Sequence, residues 1–149
     1  MEELLKQVEE WNENSEFSRA ISAIEAVPEG ERDYTLTLWL GRLYSNLAVL
    51  GDHGQRTYTD GRGRTRQTDQ SEELRKKALE IFRSIRGEGQ NDPVWNSRMA
   101  YALGVAEDRR ALEYARRWLE LAPEDPEARK CVEYYRRFLG ETTKGKKKY

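Results

Sequence analysis

A chain of 149 residues is long enough for one domain or a short array of repeats. Only 37% of its residues are hydrophobic while 36% are charged, which suits helical layers with much solvated face. The net charge of −1 is unevenly spread: residues 1–50 sum to −6, residues 71–149 to +4 and residues 51–70 to +1, so a uniformly basic nucleic-acid binder is excluded. Cys131 is the only cysteine, so no internal disulfide is available and a reducing, cytoplasmic setting is expected. The opening Met-Glu-Glu-Leu-Leu does not read as a signal peptide, and no apolar run is long enough for a membrane span.

Seven helices follow from apolar periodicity. The first, about 2–13, carries Leu4, Val8 and Trp11 on one stripe. Asn14 and Ser15 are placed to cap a second, about 16–27, with Phe17, Ala20, Ile21, Ile24 and Val27. A third, about 33–50, carries Leu36, Leu40, Leu43, Tyr44 and Leu47. Residues 51–70 contain no aliphatic side chain and read as an exposed, flexible insert. Ser71 is expected to cap a fourth helix to about 86, striped by Leu74, Ala78, Ile81, Phe82 and Ile85, with Gly87 as its stop. Asp92-Pro93 and Asp125-Pro126 each place a capping acid before a proline at the first helical position. They open helices at about 93–104 and 125–139, with a sixth between them at about 108–121. The last ten residues form a basic tail expected to be disordered.

The stripes repeat. Val8, Gly41 and Met99 share one frame position, 33 and then 58 residues apart. Ala20, Ala78 and Ala111 share another, 58 and then 33 apart. A period near 33–34 interrupted once by an insert is the pattern of stacked helical hairpins. Leu40, Gly41 and Tyr44, followed by Ala78, Phe82 and Ile85, resemble the tetratricopeptide repeat motif, as do Trp95, Ala111, Ala115, Leu119, Leu121 and Pro123. Arg98, Met99 and Trp118 depart from it, and the size of Trp118 predicts that the last helix packs over it. The resemblance implies an all-α solenoid of three hairpins (about 2–27, 33–50 with 71–86, and 93–121) closed by a capping helix at 125–139.

It also implies a mode of action, in which the first helix of each hairpin lines a groove that binds a peptide or protein segment. Carried over, that groove holds Leu5, Glu9 and Asn12, then Leu38, Arg42, Ser45 and Asn46, then Asn96, Ala100 and Leu103. Members that clamp a terminal carboxylate use lysine and asparagine where Leu5 and Glu9 stand here, so that specialised mode is not expected.

Chemistry has little support in the residues. His53, the one histidine, sits in the insert; Cys131 has no neighbouring base; and one His with one Cys cannot make a zinc set. No catalytic residue, metal or cofactor is expected, and no phosphate-loop fingerprint occurs. Two alternatives remain open. One is self-association through the unevenly charged ends or through Trp118 and Tyr135, read as exposed. The other, less favoured, is RNA contact through Arg56, Tyr58, Arg62, Arg64 and Arg66 of the insert and the four lysines of the tail.

Overall fold

The computed structural model describes residues 2–51, 55–59 and 61–139, and the side chains of 55–59 and 65–69 are not described. His53 and the basic tail expected at 140–149 lie outside the described residues. Among the described residues the regular structure is helical apart from one β-hairpin, and the chain divides into two compact units, Met1–Ile81 and Phe82–Tyr149.

The first unit contains α1 (Glu2–Glu13), α2 (Phe17–Glu25), α3 (Tyr34–Leu50), the strands β1 (Gln55–Thr59) and β2 (Thr65–Asp69), and most of α4 (Ser71–Ser84). The side chain of Asp33 accepts the Leu36 amide at 2.9 Å and so fixes where α3 begins. Behind that cap Leu36, Leu40, Leu43 and Leu47 are buried, together with Val8 of α1 and Phe17, Ala20, Ile21 and Ile24 of α2. Tyr44 closes the edge of this core: its hydroxyl donates to the Glu25 carboxylate, and burial and that bond push its pKa upward.

Two local expectations change here. Ser15 does not cap α2. It adopts φ 60° beyond the end of α1, and the Ser15 and Glu16 amides donate back to the Asn12 and Trp11 carbonyls, at 3.1 and 2.7 Å. This is a Schellman closure, which satisfies carbonyls that the end of the helix leaves without partners. Residues 51–70, expected as a loop, include an antiparallel hairpin that pairs Gln55 with Asp69 and Thr59 with Thr65. Its turn carries Gly63 at φ 79°, a backbone that side chains disfavour. The hairpin needs backbone pairing and β-favouring threonines rather than aliphatic burial, which is why a search for apolar residues passes over it.

The second unit contains α5 (Arg86–Gly89), α6 (Pro93–Gly104), α7 (Arg110–Leu121) and α8 (Pro126–Phe138). Asp92 and Asp125 cap α6 and α8 as expected, each accepting a backbone amide at 2.9 Å. Ser71, by contrast, is the first residue of α4, whose first turn is closed by the Gln70 carbonyl. Gly87 does not simply stop that helix; it lies inside the extra turn α5.

The α6–α7 turn repeats the first one. Glu107 takes φ 58°, and the Glu107 and Asp108 amides donate to the Gly104 and Leu103 carbonyls at 2.9 and 3.0 Å. Two hairpins in different units therefore use the same closure, one residue later in the repeat frame at the second. The recurring positions are interior throughout, for Val8, Met99, Ala20, Ala78 and Ala111 are fully buried and Gly41 is buried in α3.

α8 packs on α7 and covers Trp118, whose indole N–H donates to Asp125 at 3.2 Å. Tyr135 reaches the Ala100 carbonyl on α6 at 3.3 Å through a gap that exists because Gly104 has no side chain. Trp118 and Tyr135 are thus buried, correcting their assignment as exposed aromatics.

Trp95 is the largest fully buried side chain. Its indole N–H donates to the Phe82 carbonyl at 2.9 Å, and a Cβ on Gly89 would overlap its ring. Gly89→Ala is therefore expected to lower stability by about 1–3 kcal/mol through overpacking, because a ring this enclosed cannot retreat. Gly87→Ala, two residues away with open space around it, should be neutral or slightly stabilising. Thermal melts of both variants check this pair.

Candidate functional site

The residues expected to line a groove fall into two groups. Those on α1 and α3 come together within the first unit. α3 turns Leu36, Leu40, Leu43 and Leu47 into the core, so the positions between them, Leu38, Arg42, Ser45 and Asn46, are half-buried along its flank. Facing them on α1 are the half-buried Leu5 and Asn12 and the exposed Glu9. The Asn46 side-chain amide donates to the Asn12 side-chain carbonyl at 2.8 Å, across 34 residues of sequence.

Glu9 and Arg42, 33 residues apart, are electrostatic neighbours. Arg42 is held over the Trp39 ring, 4.5 Å from its centroid. Burial of the guanidinium lowers its pKa, and the Glu9 charge acts in the opposite sense. Its Nε is buried and has no hydrogen-bond partner among the described residues. A guanidinium held by a ring, partly stripped of water and half-buried rather than enclosed, is suited to pairing with a carboxylate or a backbone carbonyl from outside through its terminal nitrogens. The amides of Asn12 and Asn46 can bond a peptide backbone, and Leu5 and Leu38 offer apolar contact.

The third group does not provide such a surface. Asn96, Ala100 and Leu103 are buried within the second unit. The Asn96 amide nitrogen donates to three carbonyls, those of Gly89 and Gln90 at 3.3 Å and of Asp92 at 3.0 Å. It ties the turn after α5 to the start of α6, and its role is structural. The sequence reading placed it on an open face because the repeat frame does not reveal that an extra turn precedes α6.

Trp39 was missed as a member of the site, although its i, i+3 spacing to Arg42 on one helix is a readable signal. Cys131 is buried on α8, and burial pushes its thiol up to about 11, so it stays protonated at neutral pH. Among the described residues, no group of three His, Cys, Asp or Glu side chains could hold a metal ion. No described helix is long and apolar enough to cross a membrane.

No family model, curated protein or solved structure matches this chain.

The two asparagine environments make opposite demands. Asn96→Ala removes the buried side-chain amide that joins three carbonyls and leaves a void in its place, and should destabilise the chain by about 1–3 kcal/mol. Asn46→Ala loses one half-buried amide pair and should cost about 1 kcal/mol or less. Chemical denaturation of the two variants measures the difference, and equal costs would contradict the assignment of Asn96 as structural.

Proposed function

We propose that this chain is a non-catalytic interaction module that receives a peptide or protein segment on the face formed by α1 and α3. In this reading the helices are hairpins of a tetratricopeptide-like array, α8 is the capping helix, and the protein works in the reducing setting of the cytoplasm. The observation that carries it is Arg42: a half-buried guanidinium stacked on Trp39 and partly desolvated, beside the amides of Asn12 and Asn46. The matching 33- and 34-residue offsets of the Glu9–Arg42 and Asn12–Asn46 pairs support the array reading, since equivalent helices of successive hairpins would meet at that spacing. A preformed helical face loses little ordering entropy on binding, so a few polar contacts and two leucines suffice for specificity.

A second reading is self-association. Tyr134 and Phe138 on α8 are 57% and 63% exposed and lie against each other with ring centroids 4.6 Å apart. An apolar pair on an outer helix face can serve a second copy as well as a different partner. A molecular mass that rises with concentration in the intact chain, and not in Phe138→Ser, would favour it.

The test of the first reading is affinity capture from source-cell lysate with the intact chain, Arg42→Gln and Lys76→Gln. Lys76 lies on α4 with its side chain 70% exposed, so its loss changes net charge equally without touching the face. A partner retained by Lys76→Gln and weakened about tenfold by Arg42→Gln is the expected outcome. A partner retained equally by both would move binding away from α1 and α3.

A further inference from the structure

Within the second unit, α5, the start of α6 and one side of α7 surround a cavity of about 330 Å³ that opens to solvent. Its floor is aromatic. Trp95 and the half-buried Tyr114 meet edge to face with ring centroids 5.7 Å apart. Arg86 lies over both rings, 5.9 Å from the centroid of Trp95 and 6.0 Å from that of Tyr114, and donates to the Tyr114 hydroxyl at 3.2 Å.

Arg117 forms another wall and is held harder. Its guanidinium donates to the Gln90 carbonyl at 3.2 Å, to the Asn91 side chain at 2.9 Å and to Glu120 at 2.9 Å. Glu113 is the one acid among the lining residues.

Three features of this cavity point the same way. Both guanidinium groups are restrained before any ligand arrives, so seating an anion there orders less side chain than on a free surface. The hydrogen bonds of Arg86 and Arg117 to described residues leave N–H donors over on each, and a guanidinium matches a carboxylate in shape and charge. Glu120 already pairs with Arg117, so Arg86 is the lining guanidinium without a carboxylate partner among the described residues, and one such charge suits a carboxylate better than a doubly charged phosphate. The volume lies near the lower end for ligand sites, enough for one side chain, and the open mouth lets the rest of a chain continue outside.

We propose that this cavity is a second binding site, which seats the carboxylate of an acidic side chain from a partner peptide, with Arg86 and Arg117 as donors and the rings as floor. It stands independently of the α1–α3 face, because it rests on different residues in the other unit.

The test is a titration of the full ¹⁵N-labelled chain with an acetylated, amidated peptide of alternating glycine and glutamate, and with its glutamine counterpart. The Trp95 indole N–H is the reporter. The glutamate peptide should move that signal and the glutamine peptide should not. Arg86→Gln, at an exposed position, should weaken binding about tenfold, while Lys130→Gln on α8, an equal change of net charge, should leave it unchanged. Glu113→Gln should tighten it by removing the competing acid.

Equal weakening by Arg86→Gln and Lys130→Gln would reduce the effect to general charge attraction and overturn the site. A shift caused by the glutamine peptide, or by inorganic phosphate at lower concentration than the glutamate peptide, would overturn the assigned ligand.

Discussion

Two helices can pack closely only where the residues between them are small, and this constraint runs through the whole chain. Ala20, Ala78 and Ala111 are fully buried, and Gly41 is buried in α3, at positions that recur along the sequence. At two places a large ring fits because a glycine makes room, Gly89 for Trp95 and Gly104 for Tyr135. The same close packing leaves little room for polar side chains in the core. Asn96 is tolerated there because three carbonyls use its amide.

The two proposed binding surfaces follow from what that packing leaves over. On α3 the leucines occupy the core stripe, so Arg42 and Asn46 fall on the flank, where their neighbours are Glu9 and Asn12 one repeat period earlier. In the second unit the enclosed Trp95 presents one ring edge to Tyr114, and Arg86 settles over both. Each surface thus pairs an aromatic ring with an arginine held above it. Such a ring restrains a long cationic side chain in place without consuming all its hydrogen-bond donors.

Much of the helical layout was legible in the sequence, because stripes of Leu, Ile and Ala at helical spacing and the Asp-Pro pairs before α6 and α8 are strong local signals. What escaped was governed by other physics. The β-hairpin is held by backbone pairing between polar strands, and a search for aliphatic burial does not register it. Ser15 and Glu107 adopt left-handed backbone at helix ends without being glycine or asparagine, so the usual residue cue is missing. Asn96, Ala100 and Leu103 were assigned to an open face by frame alone, whereas burial depends on the extra turn α5 and on α8, whose Tyr135 bonds Ala100. The α1 and α3 residues do come together, since offsets of 33 and 34 residues bring Glu9 beside Arg42 and Asn12 beside Asn46.

The most direct test of the central claim is site-specific photo-crosslinking in source cells, with a photoreactive side chain placed at Ser45 on the flank of α3 and, separately, at Glu133 on the exposed side of α8. If the α1–α3 face binds the partner, Ser45 captures a discrete protein which Glu133 does not. Capture of that partner from Glu133, with none from Ser45, would contradict it.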